Sequence, residues 1–401
     1  MAPTSYQEVK LTPQVWMIGA LLAAFIAAAA GSVVFIEHNG HIVTGMNNQI
    51  VWGLPHVFAI FLIVAASGAL NVASIASVFG KTAYKPMARL SGLLALALLA
   101  GGLAVLVLDL GRPDRLIVAM TEYNFNSIFA WNIYLYTGFF AVVGAYLFVQ
   151  MARGIPSRIV RIVGTAAFLW RLALTTGTGS IFGWLVARTA YDAAIMAPLF
   201  IAMSFSFGLA AFILVVNALC QITGREFGPA LLKRLGNLLA VFAAAVLYFT
   251  AVQHLSNLYV AEHRMVEDFI LRSGGIITTL FWVGQVLIGG LIPILLLFHP
   301  KFNAKKSNAM LASSLIILGG FAQLYVIIIG GQAVPLDIFP GYETSSSFFD
   351  GAFNKYSPSL LEFLLGMGGV ALALALTGFG TVALRILPSN LSDVDADVGN
   401  A

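Results

Sequence analysis

Ten apolar runs, each long enough to cross a bilayer, constrain this chain more than any other feature. A transmembrane helix needs about 20 mostly apolar residues, because the hydrocarbon core is about 30 Å thick. Charged residues make up only 9% of the chain, against about 25% in a soluble domain, so its surface must face lipid. The runs predict helices near 13–36, 51–79, 86–108, 126–151, 156–176, 194–222, 235–256, 275–298, 308–330 and 358–387.

We therefore predict an all-α integral membrane protein with about ten transmembrane helices. It forms a single polytopic domain over residues 1–401, with a transmembrane region at 13–387 between the terminal segments 1–12 and 388–401. The net charge of +4 does not indicate nucleic-acid binding, because the basic residues are scattered through short loops and form no patch.

The Lys and Arg residues are unevenly divided between the connections that join these helices. By the positive-inside rule, the connections that are richer in these residues are cytoplasmic. Twelve of the 21 lie in or beside the connections after the second, fourth, sixth and eighth helices, and seven accompany the other connections. With ten helices, both termini are then cytoplasmic too, in a bacterial inner membrane.

The acidic residues follow the opposite distribution and make the predicted periplasmic face acidic. Its longer loops are candidates for partner binding, because long ordered loops often carry function. The twelve acidic residues in or beside these connections are Glu37, Asp109, Asp114, Glu122, Asp192, Glu262, Glu267, Asp268, Asp337, Glu343, Asp350 and Glu362.

Most strongly polar side chains of the predicted helices fall in the half of the membrane nearest the periplasm. Ionisable groups inside a membrane are costly and are therefore functional candidates. We predict one polar pocket between the helices, close to the periplasmic surface. Its candidate residues are His56, Asp109, Tyr134, Arg171, Arg188, Tyr191, Asp192, His254 and Glu362.

These candidates also have simpler interpretations. A lone helix-end histidine such as His56 is often an interfacial residue with satisfied hydrogen bonds. Arg171, at the predicted outer end of the fifth helix, could extend to the headgroups, and Glu362 could lie at the interface. Asp109 could pair with Arg112 across a turn.

The cysteine and histidine counts limit the cofactors that this protein can hold. The single cysteine, Cys220, excludes a disulfide framework, an iron–sulfur cluster held by this protein alone and a CxxCH haem attachment. Only His56 and His254 are intramembrane histidines, which leaves one bis-histidine haem possible by count and excludes two stacked haems. We predict no metal site.

Two segments near the predicted periplasmic face have unusual composition. Residues 109–115 (Asp-Leu-Gly-Arg-Pro-Asp-Arg) form a charged, proline-broken turn, which cannot face lipid because its backbone groups need partners. Residues 175–184 contain three glycines, which permit tight or re-entrant backbone close to a ligand. The second segment lacks a Walker lysine and lies on the wrong side of the membrane for ATP.

At these segments the sequence resembles the NrfD/PsrC family, the quinone-reactive membrane subunits of polysulfide-reductase-type complexes. The likeness covers roughly residues 50–385. It rests on residues 109–115, on 127–134 (Ser-Ile-Phe-Ala-Trp-Asn-Ile-Tyr) and on 194–200 (Ala-Ile-Met-Ala-Pro-Leu-Phe). Within the family, residues 51–56 and 175–192 most resemble the DsrP group, membrane subunits of sulfite-reductase-associated complexes.

The resemblance implies two four-helix bundles, helices 2–5 and 6–9, with helices 1 and 10 flanking them. It implies that the protein binds no haem or iron–sulfur cluster. It also implies a pocket for a quinone (menaquinone or ubiquinone) as substrate, beside a periplasmic ferredoxin-like iron–sulfur subunit and other membrane and cytochrome subunits. His56 falls where family members place a histidine that hydrogen-bonds a quinone carbonyl, and Tyr191 and Tyr134 are candidates for the family's pocket tyrosine.

The resulting hypothesis is quinone/quinol oxidoreduction, with or without proton translocation. Free imidazole titrates close to neutral pH, which suits His56, while Asp109 and Glu362 could relay protons. Arg171 or Arg188 could stabilise negative charge in the pocket. A secondary transporter and a passive anchor for redox partners stay open as alternatives, although transporter sites usually lie near the bilayer midplane. The predominantly aromatic start of the fourth helix also fits an aromatic belt.

Overall fold

The computed structural model describes residues 5–302, 305–336 and 351–393. Over these residues, ten helices are long and apolar enough to cross a membrane, which confirms the predicted all-α membrane protein. Asp337, Glu343 and Asp350 of the predicted acidic face, and residues 1–4 and 394–401 of the terminal segments, lie outside the described residues. The helices are α1 (Pro13–Asn39), α2 (Leu54–Ser77), α3 (Thr82–Leu108), α4 (Ile128–Met151), α5 (Ser157–Gly183), α6 (Met196–Thr223), α7 (Pro229–Tyr259), α8 (Ile276–Phe298), α9 (Lys306–Ala333) and α10 (Leu360–Ala383).

These helices form two four-membered bundles. In the first, α2 packs on α3, α3 on α4, α4 on α5, and α5 returns to α2. In the second, α6, α7, α8 and α9 close the same kind of ring. α10 packs on α3 and α2, and α1 packs on α10. The structure therefore has the arrangement that the family resemblance implied.

The two ends of the bundles differ in their connections. We call the side with the connections after α1, α3, α5, α7 and α9 the odd-connection face, and the opposite side the even-connection face. Strands β1 (Tyr6–Gln7) and β2 (Leu387–Pro388) pair antiparallel and join both terminal segments on the even-connection face. Short helices on the odd-connection face span His41–Val43, Pro113–Arg115, Leu116–Thr121, Ala261–His263, Arg264–Asp268 and Phe269–Ser273.

The bundles meet where α2 crosses α6 at Gly68 and Gly208. A Cβ at Gly68 would overlap the carbonyl oxygen of Ser204, and a Cβ at Gly208 would overlap the backbone of Gly68. Small residues let transmembrane backbones approach this closely. α2 is therefore covered on all sides, and its sequence is correspondingly apolar all round.

The fifth helix is longer than predicted, which changes the meaning of its glycines. The expected span 156–176 extends to Gly183, so residues 175–183 are helical and do not form the tight or re-entrant backbone that their glycines permit. Gly179 packs on α6, where an added Cβ would lie 2.8 Å from the carbonyl oxygen of Met196. The glycines here serve close helix packing.

We expect Gly208→Leu to destabilise the protein by about 1–3 kcal/mol or more, the usual cost of overpacking a core. The leucine would force α2 away from α6, because neither backbone can yield at this crossing. The measurement is unfolding of the detergent-solubilised protein in increasing dodecyl sulfate. Gly144→Leu on α4 is the control, since no atom of the described residues lies within 4 Å of a Cβ there. Equal stability of the two variants would contradict the close crossing.

Candidate functional site

A mostly apolar cavity of about 380 Å³ lies in the first bundle at the odd-connection ends of α2–α5. Small-ligand sites typically enclose about 300–1,000 Å³ and combine apolar walls with a few placed polar groups. Aromatic and aliphatic side chains such as Trp52, Phe129 and Phe182 form most of the wall. The polar side chains that line it are His56, Asn132, Tyr136 and Thr137.

His56 lies in the first turn of α2, and Asp109 directly follows the end of α3. The Nδ1 atom of His56 lies 2.7 Å from Oδ2 of Asp109, whose side chain is only 1% exposed. Neither the Asp109 oxygens nor Nδ1 of His56 forms a well-aligned hydrogen bond with any described residue, so the contact is one of charge and proximity. A buried charge without a partner is costly, and His56 is the ion-pair partner of Asp109 among the described residues. The predicted alternative for Asp109 does not occur, because Arg112 instead pairs with Asp114 at 2.9 Å.

One face of α4 supplies much of the cavity wall. Phe129, Asn132 and Tyr136 lie at helical spacings of three and four residues and therefore point the same way. Asn132 is held there because its side-chain amide donates to the carbonyl oxygen of Gly177 on α5 at 3.1 Å. Tyr134 points elsewhere, packs edge-on against Tyr123 and is 38% exposed. Tyr136 is thus a cavity tyrosine that was not predicted from the sequence, and its spacing from Asn132 was the available signal.

Trp52 supports the His56 ring from the side of the α1–α2 connection. Its ring stacks on His56 at a centroid distance of 6.0 Å and on Tyr191 at 6.2 Å. The hydroxyl of Tyr191 donates to the carbonyl oxygen of Ile328 at 2.5 Å. Burial raises the pKa of Tyr191 above its usual range, so this hydroxyl stays a donor. Tyr191 stands behind Trp52 and does not line the cavity.

The loop that carries Trp52 is fixed by side chains from the second bundle. Gln332 at the end of α9 accepts from the backbone N–H groups of Val51 and Trp52, each at 3.0 Å, and donates to the carbonyl oxygen of Trp52. Arg188 donates to the carbonyl oxygens of Gln49 and Gln332. Gln332 was not predicted either, because its only signal was an amide at the end of an apolar run. Asp192, which the sequence analysis predicted as a residue of the pocket, is exposed.

Glu362 fixes the start of α2 and does not line the cavity. Its Oε1 accepts from the Tyr356 hydroxyl at 2.5 Å, and that hydroxyl accepts from the backbone N–H of Leu54 at 2.6 Å. Its Oε2 accepts from the backbone N–H groups of Gly45 and Ser359. Glu362 is fully buried and both of its oxygens are satisfied. It therefore positions the backbone that leads into His56.

Arg171 lies in the middle of the membrane, so its predicted place at the outer end of the helix is wrong. Because α5 continues to Gly183, Arg171 is about 18 Å from that end. Its Nη1 donates to the carbonyl oxygen of Ser67 and to Oδ1 of Asn71, both on α2. It forms no ion pair within the described ranges, and it does not line the cavity.

His254 belongs to a separate site in the second bundle. Its Nδ1 lies 2.7 Å from Oε2 of Glu267, whose Oε1 accepts from the side chain of Asn257 at 2.9 Å. A small cavity of about 20 Å³ adjoins it, lined by Gln285 and Gln323 among others. The prediction of one polar pocket is therefore wrong. The polar groups are divided among the bundles because each must find partners on its own neighbouring helices.

No group of three or more His, Cys, Asp or Glu residues among those the structure describes is arranged to hold a metal ion.

The fold and this cavity define a ten-helix integral membrane protein with a ligand-sized site, and a histidine–carboxylate pair in it, near one membrane face. The protein belongs to the polysulphide reductase NrfD family, whose model matches residues 42–336. The predicted family membership is thus confirmed.

Three relatives match the sequence along most of its length. It is 28% identical over 370 residues to the Hdr-like menaquinol oxidoreductase integral membrane subunit of Archaeoglobus fulgidus, covering 92% of each protein. It is 26% identical to a putative dimethyl sulfoxide reductase membrane subunit of Halobacterium salinarum, covering 94% of this protein and 92% of that one. It is 23% identical to one polypeptide of the polysulfide reductase of Wolinella succinogenes, covering 71% and 95%.

We expect Tyr356→Phe to destabilise the protein by about 1–3 kcal/mol, because it leaves the Leu54 N–H and one Glu362 oxygen without partners. Burial, and then the hydrogen bond to Glu362, raise the pKa of Tyr356. Because the pKa of Tyr356 is higher in the folded than in the unfolded protein, its hydrogen bond contributes its full stabilisation below about pH 10. That stabilisation is lost only as the pH rises through the folded-state pKa. The difference from wild type should therefore stay constant between about pH 6 and 9.

The measurement is the free energy of unfolding in detergent across this pH range. Tyr259→Phe is the control, because Tyr259 is 90% exposed and no stability change is expected there. A Tyr356→Phe effect that disappears below about pH 9 would contradict the assignment of the hydroxyl as donor to Glu362.

Proposed function

We propose that this protein is the quinone-reactive membrane subunit of a redox complex and that the cavity beside His56 binds the quinone ring. The observation that carries the proposal is the pairing of His56 with the buried Asp109 at the wall of a mostly apolar cavity. The names of the relatives support it, since one is a menaquinol oxidoreductase subunit and others belong to reductases.

The residues present fit a quinone. Its ring and tail need apolar walls, which the cavity has, and its two carbonyl oxygens need hydrogen-bond partners. Because Nδ1 of His56 faces Asp109, Nε2 is the ring nitrogen that meets a ligand. Tyr136, across the cavity on α4, is the second candidate donor. A bound quinone supplies the two-electron chemistry, and each interconversion takes up or releases two protons.

The histidine–carboxylate pair can move one of these protons. When the quinol hydroxyl donates to Nε2, the Nδ1–H of His56 faces the Asp109 carboxylate, and the imidazolium formed is stabilised by that buried charge. In the reverse direction the same imidazolium donates from Nε2 to a carbonyl oxygen. This is general acid–base catalysis, in which the partner of the histidine fixes its tautomer and stabilises its charged form.

The odd-connection face is proposed to be periplasmic and the even-connection face cytoplasmic, with both termini, in a bacterial inner membrane. The cavity reaches the odd-connection face because Leu116 and Met120 of the α3–α4 connection line it. A ferredoxin-like iron–sulfur subunit would dock beside it and exchange electrons. Glu122, Asp192 and Glu262 are exposed on this face without ion-pair partners among the described residues, and they form the proposed docking surface.

The finer assignments rest on the sequence resemblance. The quinone is proposed to be menaquinone or ubiquinone. The assignment to the DsrP group, and with it a role in sulfur metabolism, stays a prediction based on residues 51–56 and 175–192. Proton translocation and contacts with further membrane and cytochrome subunits are predictions of the same kind.

We expect His56→Ala to weaken binding of a quinol analogue by about 10- to 100-fold, the equivalent of one charge-assisted hydrogen bond. Quinol-dependent electron transfer in the purified complex should fall at least as much, because the proton acceptor is also lost. The measurement is a titration of the analogue into the purified complex, with turnover followed separately.

His254→Ala is the matched control, because it removes a second histidine that is also 2.7 Å from a buried carboxylate. We expect it to leave analogue affinity unchanged. If both variants bind the analogue like wild type, the site assignment is wrong. If wild type binds no analogue, the proposed quinone site is wrong, and a passive anchor or a transporter is favoured instead.

Two tyrosines on α4 allow a sharper test of which helix face meets the ligand. Tyr136→Phe should lower analogue affinity several-fold, because it removes the hydroxyl of a residue that lines the cavity. Tyr134→Phe removes the same atom two residues away on the exposed side and should have no effect. The reverse order of effects, measured in the same titration, would show that the ligand lies against the other face of α4.

A further inference from the structure

A second cavity, of about 630 Å³, lies at the opposite end of the first bundle from His56. It is formed where α2 ends, α3 begins, α4 ends and α5 begins, on the even-connection face, and Tyr6 of β1 also lines it. None of the residues proposed for the quinone site contributes to this cavity. Its apolar wall includes Ala76, Val149 and Val160.

The cavity concentrates positive charge without a counter-charge. Lys85, Arg89, Arg158 and Arg161 line it, and no acidic residue does among those the structure describes. Arg89 is held in place because it donates to the carbonyl oxygens of Gln150 and Arg385 and lies 3.7 Å above the Tyr6 ring. The other three cations are exposed and form no ion pair over the described ranges. Mutually repelling charges this close to a low-dielectric wall favour a bound anion.

Deeper polar groups in the same cavity also require a partner. Both side-chain polar atoms of Gln150 are buried and form no well-aligned hydrogen bond with a described residue, although the Tyr146 hydroxyl lies beside the amide; Gln150 lines the cavity. An unsatisfied buried amide is unfavourable. The amide can donate to a phosphate oxygen and accept from a hydroxyl. Ser77 and Tyr146, whose hydroxyls bond to each other, also line this cavity.

We propose that this cavity binds the phosphodiester headgroup of an anionic phospholipid from the adjacent leaflet. The cations surround the phosphate, Gln150 contacts the glycerol and phosphate oxygens, and the apolar wall meets the upper part of an acyl tail. The ends of four membrane-spanning helices form the cavity, so it lies where lipid headgroups are expected. This position favours a lipid over a soluble anion. Basic pockets between transmembrane helices are known to bind anionic headgroups at this level.

The test is native mass spectrometry of the full-length protein in detergent with added phosphatidylglycerol or phosphatidylcholine. We expect the wild type to retain phosphatidylglycerol in preference. R158Q/R161Q should weaken its binding at least about tenfold, because each cation near an anionic lipid contributes about a fivefold gain in affinity. Gln150→Leu should also weaken it, with no change in charge. The double variant K301Q/K305Q is the control, since it removes two cations from the same face at the α8–α9 connection, away from this cavity, and should bind like wild type.

Several outcomes would overturn the proposal. Equal retention of the two lipids by wild type would show that no anionic headgroup is selected. An equal loss in R158Q/R161Q and K301Q/K305Q would reduce the effect to overall charge. Displacement of phosphatidylglycerol by millimolar inorganic phosphate would show that a soluble anion is the ligand. Thermal midpoints of all variants confirm that each is folded, which is expected because Arg158 and Arg161 are exposed.

Discussion

The hydrocarbon core of a membrane offers no hydrogen-bond partners, so every polar group inside this protein must find one on a neighbouring helix. Two of the buried carboxylates do so. Glu362 accepts from three donors, and Glu267 accepts from Asn257 while facing His254. The exception among these carboxylates is Asp109, whose oxygens accept no well-aligned hydrogen bond from a described residue and whose ion-pair partner is the His56 ring. Asp109 is therefore the buried carboxylate with the fewest hydrogen bonds from the protein, and it lies next to the ligand-sized cavity.

The same constraint explains why the second bundle and α10 support a cavity whose walls come mainly from the first bundle. The α1–α2 connection is largely irregular backbone packed against the bundles, and its buried backbone N–H and C=O groups need hydrogen-bond partners. Gln332 from α9, Arg188 from the α5–α6 connection, and Glu362 with Tyr356 beside α10 satisfy it from three sides. Trp52 and His56 are thereby held in one geometry before any ligand arrives. A site that is fixed by surrounding side chains binds with less ordering cost.

The transmembrane architecture could be predicted from the sequence because span length and hydropathy are local properties. The end of α5 could not, because a stretch rich in Gly, Ser and Thr is helical or not according to its packing on α6, as Gly179 shows. Arg171 was misplaced for that reason. The choice of Tyr136 over Tyr134 depends on the rotation of α4, which only its contacts with neighbouring helices determine. The hydrogen bonds of Gln332 and Glu362 to the α1–α2 connection join residues 280 and 317 positions apart, and no local pattern reports such a contact.

The proposed function depends on the quinone ring lying in the first bundle, against His56 and on the side where a partner carries its clusters. A structure of the intact complex with a bound quinone or quinol analogue tests this most directly. We predict ring density between α2 and α4, with one carbonyl oxygen within hydrogen-bond distance of Nε2 of His56, and the iron–sulfur subunit on the odd-connection face. Ring density beside His254 in the second bundle, or an iron–sulfur subunit docked on the even-connection face, would contradict it.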